Sequence, residues 1–207
     1  MEAGVGIGPA IVDFSSSIFA LSSHPVKTAK RISPSLKYRL ARVRLLLCDV
    51  DGVLTDGTVF IGAEGEFKAF NIRDGLGLVL LRRAGLKAGW VSARPSAATQ
   101  RRARELKIDF LVEQDDRAGK VAAVESLLAQ TRLRWEEVCF VGDDIVDLGP
   151  LRRAGVAVAV ANAVPEAKAA AHLVTRAAGG CGAVREIVEL ILKAQKRWDG
   201  FVTHYTE

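Results

Sequence analysis

Asp49-Val50-Asp51-Gly52-Val53-Leu54-Thr55-Asp56-Gly57 follows a short apolar run and sets two carboxylates at i and i+2. A core has no use for such a pair where a strand ends. Leaving a sheet, both side chains can turn toward one ligand, and their repulsion is costly unless a cation or a proton offsets it. Three more polar groups also follow apolar runs or open a helix: Ser92 with Arg94 two residues on, Lys120, and Gly142-Asp143-Asp144-Ile145-Val146-Asp147. Together they supply what phosphate-ester chemistry needs. A hard divalent cation such as Mg²⁺ takes one or two carboxylates plus phosphate and water. A hydroxyl and an ammonium donate to the phosphoryl oxygens. One carboxylate can attack phosphorus if cations offset its charge. The other can protonate the leaving oxygen and then activate water.

Each piece alone has an ordinary explanation. Asp-x-Asp occurs in calcium loops and surface turns, and Gly-Asp-Asp is a common turn. A lysine opening a helix is usually solvated, and Ser92 by itself could be a helix N-cap worth about 1 kcal/mol. The argument for chemistry rests on their order and on a fold that brings them to one edge.

That fold is legible in the alternation of short apolar runs with helical stretches. Strands are expected at 43–48, 86–91, 110–112, 138–141, 156–160 and 172–174, and helices at 75–83, 97–106, 120–131, 148–154 and 165–171. The last helix is clearest: Val184, Ile187, Val188, Ile191 and Leu192 recur at i, i+3, i+4, i+7 and i+8 and form one apolar stripe. Strands apolar on both faces and alternating with helices imply an α/β fold, a doubly wound parallel sheet covered on both sides. Right-handed crossovers then put every strand's carboxyl end along one edge, where such folds bind ligands. One segment breaks the pattern. Residues 58–61 and 66–71 flank Gly62-Ala63-Glu64-Gly65 and read as a β-hairpin with a four-residue turn, placed to project over that edge as a flap.

The 207 residues divide into a basic extension (1–40), one domain (41–198) and a C-terminal tail (199–207). At 49% hydrophobic and 26% charged residues, the composition is that of a soluble globular protein. No apolar run is long enough to span a bilayer. Cys48, Cys139 and Cys181 show no paired spacing, which fits a reducing cytoplasm and argues against a disulfide frame or a zinc site. His24, His172 and His204 are dispersed, and Trp90 and Trp198 read as packing residues. The net charge of +5 arises largely from residues 14–48, with seven Lys or Arg and no acid. No stacking aromatics interleave these cations, so nucleic acid is not an expected partner.

Asp49–Gly57, Ser92, Lys120 and Gly142-Asp143-Asp144 resemble, in order, the four motifs of the haloacid dehalogenase superfamily of phosphatases. Phe70-Asn71-Ile72-Arg73-Asp74-Gly75-Leu76-Gly77, Ser92-Ala93-Arg94-Pro95-Ser96 and Gly179-Gly180-Cys181-Gly182-Ala183-Val184-Arg185-Glu186 narrow the likeness to the 3-deoxy-D-manno-octulosonate 8-phosphate phosphatases, over about residues 43–195. The resemblance implies Asp49 as nucleophile and metal ligand, and Asp51 as acid/base whose backbone carbonyl also meets the metal. It implies Asp143 as a Mg²⁺ ligand supported by Asp144, with Ser92 and Lys120 on the transferring phosphoryl group. Gly52, Arg73, Ala93 and Arg94 are the substrate-binding candidates, Arg94 for a sugar-acid carboxylate. Asp74 stands open between capping a helix and meeting substrate.

The family has no cap domain and is similar to homotetramers in which hairpins, here 57–68, and neighbouring subunits close the site. Where the family usually has Thr-Gly-Arg this chain has Ser92-Ala93-Arg94, and its Pro150 lies one residue later than the family's pattern. A nine-carbon keto-sugar acid 9-phosphate is the rival substrate. A non-catalytic oligomerisation or regulatory domain is the rival role, which intact acidic, Ser and Lys positions argue against.

Overall fold

The computed structural model describes residues 33–63, 65–113 and 119–207; of the extension read at 1–40, residues 1–32 lie outside them. Six strands form one parallel sheet: β1 (Leu45–Cys48), β4 (Lys87–Ser92), β5 (Phe110–Glu113), β6 (Val138–Gly142), β7 (Val156–Ala159) and β8 (Leu173–Val174). Their order across the sheet is β5-β4-β1-β6-β7-β8. Chain order therefore reverses at β1, where Leu45–Cys48 pair with Lys87–Trp90 on one side and Val138–Val141 on the other. A ligand crevice opens at such a reversal, beyond the strands' carboxyl ends. β1 and β6 are buried on both faces, as a covered parallel sheet demands. Cys48 and Cys139 sit there as small hydrophobes, and burial raises both thiols' pKa values.

Helices α2 (Ile72–Arg83), α3 (Ala97–Leu106), α4 (Lys120–Thr131), α5 (Leu148–Arg153), α6 (Pro165–Ala170) and α7 (Ala183–Ala194) link or follow the strands. All five residues of the predicted α7 stripe are fully buried, each stabilising by about 1.5–3 kcal/mol. α2 starts three residues before the expected position because the Asn71 side chain caps it, accepting from the Arg73 N–H at 2.8 Å. Two elements fall where the sequence shows only extension and tail. α1 (Pro34–Ala41) follows an N-capping Ser33 and buries Leu36 and Leu40, and α8 (Trp198–His204) packs Trp198 and Phe201 against the core.

The hairpin is present but shorter than expected. β2 (Phe60–Gly62) and β3 (Gly65–Phe67) pair antiparallel up to Gly62 opposite Gly65, so the two glycines belong to the ladder rather than to a four-residue turn. Phe60, Ile61 and Phe67 are 58%, 84% and 62% exposed. An unpaired hairpin with that much apolar surface is unusual on a lone chain.

Candidate active site

β1 delivers Asp49 to the reversal point, where its backbone N–H donates to Val141 O at 2.9 Å. The loop that follows is stitched by the fully buried Thr55, whose Oγ1 accepts from the N–H groups of Gly52 and Gly57 at 3.4 and 3.2 Å. Gly52 takes φ +98°, and a Cβ there would lie 2.1 Å from Asp143 Oδ2. Only glycine lets the loop after β1 and the loop after β6 approach so closely.

Lys120, at the start of α4, is buried and reaches across to both loops. Its Nζ stands 2.5 Å from Asp49 Oδ1 and 2.7 Å from Asp147 Oδ1. Burial acts to lower the lysine pKa, but the two carboxylates outweigh it and the net shift is upward. Asp49 moves up to about 6, through burial and the Asp147 charge, against the pull of Lys120. Asp143 moves up to about 8 through burial and then through Asp49 and Asp147. Carboxyl oxygens of Asp49, Asp143 and Asp147 lie within 4.8 Å of one another.

These groups fit a hard divalent cation. Asp143 Oδ1 is buried with no hydrogen-bond partner, and a cation there would replace the protons that crowding drives onto Asp143 and Asp49. Asp147, by contrast, is saturated. Its Oδ1 takes Lys120, and its Oδ2 accepts from the N–H groups of Asp143 and Asp144 at 2.9 and 3.3 Å. Asp49 and Asp143 are therefore the carboxylates that could meet such a cation, one or two being the usual Mg²⁺ complement, while Asp147 braces Lys120 and the Asp143 loop.

Asp144, which the resemblance gives as the support of Asp143 at the metal, is not among the clustered carboxylates Asp49, Asp143 and Asp147. It is exposed, and its Oδ1 accepts from the Ile145 N–H at 2.6 Å. The reason is the one-turn 3₁₀ helix Ile145–Asp147, which turns Asp147 back beneath Asp143. Asp144-x-x-Asp147 is a capping-box spacing, and that signal could have singled out Asp147.

Ser92 ends β4 and is buried. Its hydroxyl donates to Arg94 O and accepts from Arg94 N–H at 3.0 and 3.1 Å, and Ser92, Ala93, Gly119 and Lys120 line one small crevice. Glu113 at the end of β5 steadies this loop by accepting from Ser96 N–H at 2.9 Å. Arg94 is not free for a substrate carboxylate here: its guanidinium pairs with Glu66 of β3, which also binds the Ser96 hydroxyl. Arg73 is exposed and lines a groove of about 490 Å³ with Arg176, Cys181, Arg185 and Glu186. Asp74 neither caps its own helix nor lies open to a ligand. It is buried, and its Oδ1 accepts from the Arg185 N–H at 2.6 Å, at the first turn of α7.

Asp51 turns toward the hairpin, where Lys68 Nζ lies 2.8 Å from its Oδ1. Lys68 carries no signal in the sequence beyond its place at the hairpin's foot. His172, one of the dispersed histidines, accepts the Ala157 N–H on its Nδ1 at 2.9 Å.

Known proteins resemble this chain in sequence and in fold. Residues 114–187 match the haloacid dehalogenase-like hydrolases. The 3-deoxy-D-manno-octulosonate 8-phosphate phosphatase of Yersinia pestis is 41% identical over 163 residues, covering 78% of this chain and 86% of that protein. The Escherichia coli K12 enzyme of the same name is 37% identical over 169 residues, covering 81% and 89%. A crystal structure of the Moraxella catarrhalis phosphatase, in complex with magnesium, phosphate and 3-deoxy-D-manno-octulosonate (KDO), superposes with TM-score 0.78 at 37% identity and covers 82% of this chain and 97% of that one.

Proposed function

Since the chain belongs to the 3-deoxy-D-manno-octulosonate 8-phosphate phosphatases, a family of haloacid dehalogenase-like phosphomonoester hydrolases, we propose that it hydrolyses that eight-carbon sugar-acid phosphate in a Mg²⁺-dependent reaction through an aspartyl phosphate on Asp49. The observation that carries the reading is the Asp49–Lys120–Asp147 chain at the end of β1, with Asp143 beside it. An Asp49 carboxylate oxygen forms a bond to phosphorus as the bond to the sugar oxygen breaks. Asp51 gives that oxygen a proton, then takes one from the water that attacks the aspartyl phosphate and frees phosphate. Lys120 and Ser92 donate to the phosphoryl oxygens, whose charge is greatest in the transition state. Mg²⁺, held by Asp49, Asp143 and the Asp51 carbonyl, supplies positive charge that offsets repulsion between two anions.

Arg94, released from Glu66, is the group suited to the substrate carboxylate, with Gly52, Ala93 and Arg73 lining the approach. The implied setting is the cytoplasm, with KDO supplied to lipopolysaccharide synthesis; no helix among the described residues is long and apolar enough to cross a membrane. A panel of sugar-acid phosphates tests the substrate. The eight-carbon 8-phosphate should give a kcat/KM at least about tenfold above a nine-carbon 9-phosphate, about 1.4 kcal/mol; the reverse order would make the nine-carbon acid the substrate.

The exposed Phe60, Ile61 and Phe67 support a homotetramer in which hairpins pack together and neighbours wall the site. Phe60→Asp should split the assembly in light scattering and lower turnover of the sugar phosphate more than that of p-nitrophenyl phosphate. Equal losses on both would mean that the hairpin supports the fold alone.

A further inference from the structure

Alternate residues of a strand share a face, and on β3 and its extension that places Glu66 and Lys68 together, with Phe67 turned outward. Both charged groups grip the same stretch of chain. Glu66 holds Arg94 and Ser96, the residue that caps α3, and Lys68 donates to Thr99 Oγ1 at 3.3 Å in the first turn of α3. Lys68 also reaches Asp51, 2.8 Å from Oδ1 and 3.0 Å from Oδ2. An ammonium has three N–H donors; Asp51 Oδ2 and Thr99 Oγ1 take two of them, and the Asp51 charge helps to offset the cost of a lysine side chain that is 0% exposed.

We propose that Lys68 is a positioning residue, through which the seated hairpin holds the Asp51 carboxyl in place for proton transfer. The proposal rests on Asp51 being the acid/base. Hairpin seating and acid–base chemistry then become one event, because the only cation that touches Asp51 among the described residues comes from the hairpin. The pair is asymmetric. Asp51 keeps 26% of its side-chain surface exposed, so without Lys68 it can rehydrate and swing away. Without Asp51, a buried ammonium loses its counter-charge, which is the more destabilising change.

A double-mutant cycle on the sugar phosphate separates positioning from support. Lys68→Met should lower kcat by about 10²-fold, the scale of a 1 Å misplacement of a catalytic group, with KM within about threefold of wild type. In an Asp51→Ala background the same change should alter kcat by less than about threefold, since the group it positions is gone. Losses that multiply would overturn the proposal, because Lys68 would then act on substrate or fold independently of Asp51. Should Lys68→Met not fold, Thr99→Val removes the other hydrogen-bond acceptor of the ammonium. It should lower kcat several-fold beside Asp51 and not in the Asp51→Ala background, and equal losses in both would again overturn it. Full turnover by Asp51→Ala alone would sink the acid/base reading, whereas an inactive Asp51→Ala beside a normal Lys68→Met sinks only the role of Lys68.

Discussion

Asp49→Asn should reduce kcat by on the order of 10⁴–10⁶-fold, the range seen when single members of a catalytic triad are removed, while the protein still folds. The amide has almost the same shape but cannot form the acyl phosphate. The fold should survive because Lys120 keeps its ion pair with Asp147, at 2.7 Å and fully buried on the aspartate side. It also loses a carboxylate whose pKa is raised to about 6, mainly by burial, so the change relieves repulsion with Asp143 and Asp147. A melting temperature at or above that of the parent, together with loss of turnover, is the expected pair of readings. Activity within about tenfold of the parent would remove Asp49 from the mechanism.

Chelation should act almost as strongly. Charge stabilisation by a metal is worth several kcal/mol, so EDTA should lower turnover by about 10³-fold or more, and Mg²⁺ should restore it where Ca²⁺ does not. Calcium prefers more ligands at 2.3–2.6 Å against 2.0–2.1 Å for magnesium, and the pair Asp49 and Asp143 on two short loops suits the smaller ion. Protons compete for the same oxygens. Asp49 and Asp143 have folded-state pKa values raised from 3.8 to about 6 and about 8. The folded, metal-free protein therefore binds protons more tightly than the unfolded chain, and these two groups stabilise it most below about pH 4. That contribution is lost as pH rises through about 6 and then about 8, where a cation must replace the proton. The rise in melting temperature on adding Mg²⁺ should be larger near pH 8 than near pH 5; an equal rise at both would place the ion elsewhere.

Much of this site is legible before any coordinates because its chemistry is concentrated at strand ends. A parallel sheet announces its strands through runs such as Leu45–Cys48, and topology then forces Asp49, Ser92 and the loop after Val141 to one edge. The α7 stripe is readable for a similar reason, since burial on one helical face imposes its own period. What stays hidden is set by short-range turns and by distant pairings. Asp147 outranks Asp144 only because one 3₁₀ turn reverses their directions. The ties from Lys68 to Asp51 and from Arg94 to Glu66 span 17 and 28 residues, and no periodicity encodes which charge meets which. Asp74 likewise serves a helix 111 residues away, a partner that its own neighbourhood does not show.

The central claim is that Asp49 carries the phosphoryl group. Mixing enzyme with substrate and Mg²⁺, quenching in acid within the first turnover and reducing with borohydride would convert an acyl phosphate to an alcohol, leaving homoserine where the aspartate stood. Peptide mass spectrometry should find that homoserine at position 49 and at no other aspartate, and should find none when Mg²⁺ is left out. Homoserine at Asp51 or Asp143, or none at all while phosphate is being released, would contradict the account.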